Sequence, residues 1–316
     1  MATITDYDHG ISAIDSGYGR PLHNAIHLII EGGRAAVIDT GVNSSVPHVL
    51  AALRAKCIDP SQVDYVILTH IHLDHAGGAG RLMEELPQAR LVVHPRGARH
   101  MIDPSRLIEG TIAVYGAQRT RELYGDIVAV TQDRVIEATH ESTLSLNGRE
   151  FTFFDTPGHA RHHVCMLDAR SGHVFAGDTF GLSYRELDRD GRQFIFPTTS
   201  PVQFDAQAEH HTLDLILGLR PAAVYVTHYS QVRNARRLGA DMHRLLTAHE
   251  EMALLQQDSG AVRHERLRAG VRRIVLDEAR LQQWPLTQEQ LLALFAGDIE
   301  LNAQGLAIWL DAQAAR

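Results

Sequence analysis

Apolar residues recur in short runs over the first 235 positions, and turn-forming residues separate these runs. The stretch NAIHLIIEGGRAAVIDTG, residues 24–41, predicts a β-hairpin in which a Glu-Gly-Gly turn joins two apolar strands. The stretch HHVCMLDARSGHVFAGDTF, residues 162–180, has the same layout. Helical stretches between such strands favour an α/β protein. Because both hairpins end in Asp-Thr, the two halves resemble a diverged internal repeat.

The pattern changes after Arg233. Residues 235–257 and 287–313 carry apolar side chains at three- and four-residue spacing, which predicts long amphipathic helices. We therefore expect residues 1–235 to form one α/β domain. Residues 236–316 are predicted to be a helical extension that packs on this domain or forms the contact of a homodimer.

The composition is that of a globular protein, with 44% hydrophobic and 22% charged residues among 316. The 30 basic and 38 acidic residues give a formal net charge of -8 without a Lys/Arg block, which argues against nucleic acid as a partner. The N-terminus lacks a signal-peptide pattern, and no apolar run has membrane-spanning length. We expect a cytoplasmic protein that acts on a small molecule and has no membrane partner.

The two cysteines have no C-x-x-C spacing. Cys57 lies in a helical pattern and Cys165 in a strand pattern, so we predict two buried thiols instead of a disulfide or a metal-binding pair. The 20 histidines are far more informative, because this number is well above ordinary usage.

The densest group of histidines lies in VILTHIHLDHAGG, residues 66–78, directly after an apolar strand. Residues two apart in an extended segment project to the same side, so His70 and His72 can share one metal ion. Asp74 and His75 follow where the chain turns and point in other directions. They suit a second ion nearby.

Four ligands in one loop leave coordination positions unfilled, so further ligands are expected at other strand ends. FFDTPGHA carries His159 after an apolar strand, VFAGDTF carries Asp178, and AAVYVTHYS carries His228. Each of these segments is a strand that runs out into a loop with a ligand-type side chain.

These motifs, in this order, resemble the metal-binding motifs of the metallo-β-lactamase superfamily, and IDTG at 38–41 resembles its first motif. The resemblance covers about residues 10–235 and implies an αββα sandwich with the helical extension added. It also implies two groups of metal ligands and one bridging residue. The first ion would take His70, His72 and His159, the second Asp74, His75 and His228, and Asp178 would bridge them. Asp39 would support the loop beneath the metals.

The resemblance further implies a hydrolase with two divalent metal ions, zinc being favoured over iron and manganese. The nucleophile would be a metal-bound hydroxide. Because Asp74 is the only carboxylate in HLDH, we further predict that it is both a ligand and the proton acceptor of this hydroxide, with a purely charge-balancing ligand as the alternative. TPGHARHH and GDTF look most like the hydroxyacylglutathione hydrolase and lactonase branches, so a thioester or lactone is expected. β-Lactamases commonly carry another residue where Asp178 stands.

Three other functions stay open. The same two-metal core supports phosphodiester hydrolysis, although the acidic net charge argues against it. A ligand-binding regulator with low turnover would be distinguished by a metal count joined to a turnover assay. A di-iron redox protein is the third, but the flavin-bearing relatives prefer glutamate where His72 stands.

Outside the ligand set, the segment 181–205 is predicted to be a surface loop, with a substrate wall as the alternative. Tyr184 is its candidate donor to a substrate oxygen. Arg233 is a candidate anchor for a substrate anion, although a solvated basic face is favoured there. His162 and His163 are assigned to packing or support. The remaining histidines are assigned to the surface or the core, and His23 and His27 are the first to reconsider.

Overall fold

The computed structural model describes residues 3–256 and 260–315. Its strands are β1 Ile4–Tyr7, β2 Ile11–Asp15, β3 Ala25–Glu31, β4 Arg34–Ile38, β5 Val63–Ile67, β6 Arg90–Val93, β7 Val135–Glu137, β8 Thr143–Leu146, β9 Arg149–Asp155, β10 Val164–Asp168, β11 His173–Gly177, β12 Ala223–Val226 and β13 Ser230–Val232. Its α-helices are α1 Val46–Ala55, α2 Leu73–Ala76, α3 Ala79–Glu85, α4 Pro95–Ile102, α5 Ser105–Tyr115, α6 Ala117–Tyr124, α7 Ala206–Gly218, α8 Ala235–Leu254, α9 Gly260–Gln282, α10 Gln288–Leu294 and α11 Ala296–Ala314.

The strands form two mixed sheets. The first sheet has seven strands in the order β1 to β7, antiparallel as far as β4 and parallel from β4 onwards. The second has six strands in the order β13-β12-β11-β10-β9-β8, in which β8 to β11 are antiparallel and β11 pairs in parallel with β12. Both predicted hairpins are confirmed, as β3–β4 and β10–β11.

The chain divides into two compact units. The first holds helices α1–α6 and both sheets except the last residue of β13, and consists of Met1–Asp155, His162–Gly177 and Ala222–Gln231. The second holds helices α7–α11 and consists of Thr156–Arg161, Asp178–Pro221 and Val232–Arg316. The boundary expected at residue 235 divides the chain differently, and it stays a prediction.

The core of the first unit explains its layering. Apolar side chains from both sheets form one cluster, which includes Ile29 and Ile67 from the first sheet and Phe153 and Phe175 from the second. A second cluster joins the other face of the first sheet to helices α1, α3 and α4. Two sheets that pack face to face with flanking helices confirm the predicted αββα fold class.

The segment 181–205 packs inside the second unit. Leu182 and Phe196 form an isolated antiparallel bridge, and the ring of Phe194 lies 4.8 Å from that of Trp284. The backbone N–H of Thr199 donates to Oδ1 of Asn302 on α11 over 2.6 Å. The prediction of a surface loop is therefore wrong for residues 194–199, which are buried and find partners in the C-terminal region, whereas residues 189–192 are exposed.

The helical character of the C-terminal region is confirmed by α8–α11. Helix α11 packs against α8 and α9 and buries Ile299, Leu306 and Trp309. Among the described residues no single helix is both long and apolar enough to cross a bilayer. Helices α10 and α11 meet that test only together, with a bend of 59° between them.

The two cysteines differ in their surroundings. Cys165 is a buried free thiol in β10, as predicted, but Cys57 is an exposed free thiol. Helix α1 ends at Ala55, and Cys57 adopts a left-handed conformation with a φ of 56° in the turn that follows. The prediction of a buried thiol is wrong for Cys57, because the helical pattern continues past the point at which the helix stops.

Candidate metal centre

Five of the predicted ligands cluster in the first unit, where they follow the ends of β5 and β12. Ligand atoms of Asp74, His75 and His228 lie within 4.8 Å of one another. Nε2 of His70 lies 2.9 Å from Nδ1 of His72, and the rings of His70 and His75 are 4.0 Å apart between centroids. His70, His72 and His228 lie in the loops that follow β5 and β12, and Asp74 and His75 lie in the short helix α2 that begins directly after His72.

Asp39 lies beneath this cluster as a buried brace. Its carboxylate accepts hydrogen bonds from the backbone N–H of Thr69 at 2.9 Å, the Thr69 hydroxyl at 2.9 Å and the Thr227 hydroxyl at 3.0 Å. Nδ1 of His75 also lies 2.9 Å from Oδ2 of Asp39. One carboxylate thus fixes both ligand-bearing loops, which is the supporting role expected for it.

The imidazoles of His70, His75 and His228 are each held through Nδ1. Nδ1 of His228 lies 3.1 Å from the carbonyl oxygen of His23, and Nδ1 of His70 lies 3.2 Å from the Thr69 hydroxyl. Together with the contact between His75 and Asp39, these partners direct Nε2 of each ring towards the cluster. Holding one imidazole nitrogen in this way is how proteins orient metal-ligating histidines.

The chemistry of this donor set fits a divalent metal ion. When the ring nitrogens of His70 and His72 both present lone pairs at 2.9 Å, a cation between or beside them relieves the repulsion. Imidazole nitrogens combined with a carboxylate suit zinc, iron and manganese alike. The structure therefore agrees with metal binding and leaves the choice of metal to experiment.

The second unit holds the other two predicted ligands. Nε2 of His159 lies 3.7 Å from Oδ2 of Asp178, and both side chains are buried. Nδ1 of His159 lies 3.0 Å from the carbonyl oxygen of Thr198, and the Thr198 hydroxyl donates to the carbonyl oxygen of Asp178 over 3.1 Å. Thr198 therefore orients the imidazole and ties it to the aspartate segment.

Glu209 on α7 is a site residue that the sequence did not reveal. Its side chain is 1% exposed, and it accepts hydrogen bonds from the Thr179 hydroxyl at 3.2 Å and from the backbone N–H of His159. Burial, together with the negative charge of Asp178, raises the pKa of the Glu209 carboxyl well above its usual value despite these hydrogen bonds. Glu209 links the segments that carry both ligands of this unit.

Glycine 158 is the one sequence signal that points to Glu209. Gly158 has a φ of +141°, and a Cβ built on it would lie 2.1 Å from Oε2 and 2.5 Å from Cα of Glu209. A side chain at this position has no room, which gives the glycine of TPGH a physical reason. The same motif indicates that another segment approaches closely, although it does not say which one.

Asn24 is a second residue that the sequence analysis missed. Its Nδ2 donates to the carbonyl oxygen of Asp74 at 3.1 Å and to Oδ2 at 3.3 Å. Oδ2 of Asp74 lies 3.5 Å from Nε2 of His75 and 3.5 Å from Nε2 of His228. Asn24 thus fixes the carboxylate between the two imidazoles, and no local sequence pattern distinguishes it from a turn residue.

The predicted substrate-binding residues have other partners. Tyr184 is 1% exposed, and its hydroxyl lies 3.0 Å from each carboxylate oxygen of Asp298 on α11. Arg233 is exposed, and its backbone N–H donates to Oε1 of Gln193 over 2.8 Å. Contact of Tyr184 or Arg233 with a substrate stays a prediction.

The two histidines that follow His159 lie beside the first unit's cluster. His163 is fully buried with its ring 5.1 Å from that of His70, and Nδ1 of His162 accepts a long hydrogen bond of 3.5 Å from the backbone N–H of Ile71. Both contacts agree with the packing and support roles assigned to these residues.

Comparison with known proteins gives the family. A family model described as Metallo-beta-lactamase superfamily matches residues 19–228. The metallo-beta-lactamase fold-containing protein of Sulfurisphaera tokodaii is 28% identical over 196 residues, which are 61% of this chain and 67% of that protein. A hydroxyacylglutathione hydrolase of Klebsiella pneumoniae is 30% identical over 157 residues, which are 49% of this chain and 47% of that enzyme. The chain therefore matches about half the length of this relative.

Solved structures agree on the fold. A metallo-beta-lactamase family protein from Thermus thermophilus superimposes with a TM-score of 0.68 at 18% identity, covering 97% of this chain and 94% of that one. The archaeal metallo-beta-lactamase superfamily protein from Sulfolobus tokodaii gives a TM-score of 0.61 at 24% identity, covering 95% of this chain and 99% of that one. At the level of the superfamily, the prediction of a metal-dependent hydrolase is confirmed. With a family model matching residues 19–228 and the motif residues gathered at strand ends, the chain belongs to the metallo-β-lactamase superfamily.

Proposed function

We propose that the protein is a dinuclear metal-dependent hydrolase that cleaves an activated acyl bond, with thioesters and lactones as the substrate class. The observation that carries this proposal is the cluster of His70, His72, Asp74, His75 and His228, whose nitrogens are oriented by buried partners. The hydroxyacylglutathione hydrolases among the relatives support a thioester in particular.

His159 and Asp178 complete the ligand set in this proposal. The support is the family's motif order, in which a histidine after TPG and an aspartate after AG join the HxHxDH group. Zinc is the metal we favour, with iron or manganese as the alternatives. Two such ions supply Lewis-acid chemistry, since they polarise a carbonyl and lower the pKa of water.

The residues of the chain position the reacting groups. Asp39 holds His75 and the strand-end threonines, so the imidazoles need no rearrangement when substrate binds. Asn24 donates to Oδ2 of Asp74, the only carboxylate in the HLDH loop. Asp74 is partly buried, with its side chain 22% exposed, and lies beside two imidazoles. In this proposal it accepts a proton from the attacking water.

A panel of candidate substrates tests the proposal. Protein loaded with two equivalents of zinc, iron or manganese is assayed against thioesters, lactones, β-lactams and phosphodiesters. We expect thioester or lactone turnover that is lost on chelation and restored by metal. Turnover confined to phosphodiesters would replace this proposal by phosphodiester hydrolysis, and no turnover in any class at full metal loading would refute it.

A further inference from the structure

A row of aromatic side chains extends from the metal cluster along the first unit. The ring of His23 lies 5.0 Å from that of His228, and the ring of Tyr18 stacks near it at 5.9 Å with an interplanar angle of 18°. The ring of Tyr124 lies 6.1 Å from that of Tyr18 with an interplanar angle of 21°. The ring of Tyr115 meets that of Tyr124 edge-on, with 6.2 Å between the centroids. We name Tyr18, His23, Tyr115 and Tyr124 the aromatic row.

The aromatic row is anchored to the ligand loop. Tyr124 packs in a small apolar cluster with Leu73, which stands between the ligands His72 and Asp74. The partly buried Tyr18 belongs to the same cluster. The row therefore begins at ligand residues and ends at the exposed Tyr115, a path from the reacting centre to solvent within one compact unit.

The loop that carries Tyr18 has a fixed backbone. Asp15 accepts from the backbone N–H of Gly17 at 3.0 Å and from that of Leu22 at 3.1 Å, and the Ser16 hydroxyl accepts from the N–H of Tyr18 at 3.2 Å. Gly17 has a φ of +72°, a conformation that favours glycine. The stretch DSGYG, residues 15–19, thus holds Tyr18 in a fixed position.

The tyrosines of the row are uncharged at working pH. Burial, reinforced by the negative charge of Asp74, raises the pKa of Tyr18 and Tyr124, and burial also raises that of Tyr115. A neutral aromatic surface of this kind favours rings and flat apolar groups over ions.

The nearby arginines do not change this preference. Arg119 is paired with Glu122 at 3.3 Å, and Arg20 donates to the carbonyl oxygen of Pro21 over 3.2 Å. To bind these arginines, an anionic acyl group would have to displace their partners, and the negative charge of Asp74 would repel it. A neutral aromatic group has neither cost.

We propose that the aromatic row is the acyl-group subsite of this hydrolase, and that it selects substrates whose acyl group carries an aromatic ring. This inference rests on the proposed function and names its substrate class. The ring of the acyl group would lie along the partly buried Tyr18, which the buried Tyr124 supports, with the scissile carbonyl towards Asp74 and His228. The hydroxyl groups of the row play no required part, since Tyr18 already donates to Tyr124 at 3.4 Å.

The test compares two thioesters of the same small thiol, one phenylacetyl and one acetyl, and a lactone pair that differs in a benzyl or methyl substituent. We expect the parent to prefer the aromatic member, and Tyr18→Ala to lower the ratio of the two kcat/KM values about 10-fold, the loss typical of one aromatic contact. Tyr18→Phe keeps the ring and should keep the ratio. Tyr65→Ala is the matched control, because Tyr65 lies on β5 with its hydroxyl donating to Ser145.

Binding of phenylacetate and acetate to the metal-loaded protein, measured by calorimetry, separates the two proposals. If substrates are turned over but Tyr18→Ala leaves the ratio unchanged, the subsite is refuted and the hydrolase stands. If no acyl substrate is turned over, the hydrolase proposal fails, and with it the subsite as a part of catalysis. In that case, phenylacetate affinity that is equal in the parent, Tyr18→Ala and Tyr65→Ala would refute aromatic recognition by the row as well.

Discussion

Replacement of Glu209 by alanine should weaken metal binding although Glu209 is not a predicted ligand. The carboxyl accepts from the Thr179 hydroxyl and from the backbone N–H of His159, and it is 1% exposed. A buried donor that loses its acceptor costs about 1–3 kcal/mol, so two donors cost about 2–6 kcal/mol. In the metal-free variant the segments that carry His159 and Thr179 shift so that their unsatisfied donors can bind water. Metal binding then has to restore the order of both segments. The lower figure alone corresponds to an affinity loss of about 30-fold.

Glutamine at position 209 should behave differently. Burial raises the pKa of Glu209 well above its usual value, so the neutral carboxyl resembles a glutamine amide in charge and shape. A carboxyl with a raised folded-state pKa contributes stability below its unfolded pKa, and that contribution is lost as pH rises through the folded pKa. Metal-free Glu209→Gln should therefore be at least as stable as the parent at pH 7, with metal affinity within about threefold because the acceptor oxygen remains.

The measurement is a competition titration with a chelator of known affinity, combined with denaturant unfolding of the metal-free proteins. Gln207→Ala is the matched control, since Gln207 is exposed on the same helix as Glu209. The reasoning fails if Glu209→Ala holds two ions as tightly as the Gln207→Ala control. It also fails if alanine and glutamine at position 209 weaken binding equally, because the hydrogen-bond acceptor would then be irrelevant.

Three further perturbations test other parts of the structure. Asp74→Asn, with both metals confirmed by elemental analysis, should lose about 10²-fold in turnover, and a near-normal rate would make Asp74 a ligand only. Burial lowers the pKa of His249 to about 4, so the unfolded chain binds the extra proton between pH 6.5 and 4 and stability falls as pH drops through that window. Between pH 7 and pH 4, the unfolding free energy of His249→Leu should therefore fall by about 3 kcal/mol less than that of the parent, as measured by denaturant unfolding at both pH values. Arg149→Met leaves Asp168 buried without its partner and should cost about 3–5 kcal/mol in unfolding free energy, against little change for the exposed Arg273→Met.

The strands and the ligand loop were predictable because their signals are local. The alternation of apolar runs with Gly and Asp turns indicates both hairpins, and His70, His72, Asp74 and His75 stand within six positions. His228 required only the recognition of one more strand end. Each of these residues follows the end of a strand, so predicting the strands also indicates where the candidate metal-binding residues lie.

The supporting residues were not predictable in this way. Asn24 reaches Asp74 across 50 positions, and Glu209 reaches Thr179 across 30. Each is an ordinary residue in its own segment, and only the tertiary fold gives it a partner. The partner of Tyr184 is equally remote, because its hydroxyl lies 3.0 Å from Oδ1 of Asp298 on α11, 114 positions along the chain. Contact of Tyr184 with a substrate stays a prediction.

The threonines of the two Asp-Thr pairs have similar roles. The hydroxyl of Thr40 donates to the carbonyl oxygen of His75 at 2.8 Å, and that of Thr179 donates to Oε1 of Glu209 at 3.2 Å. Each threonine therefore ties its strand end to a segment of the candidate site.

The aspartates of the two pairs have different partners. Asp39 accepts from backbone and hydroxyl donors and from His75, so its oxygens serve as a brace. Oδ2 of Asp178 instead lies 3.7 Å from Nε2 of the predicted ligand His159. The carboxyl that accepts from the segments of both predicted ligands in the second unit is Glu209 on α7, which takes the Thr179 hydroxyl and the backbone N–H of His159. Loss of Glu209 should therefore weaken metal binding more than loss of the exposed Gln207 on the same helix.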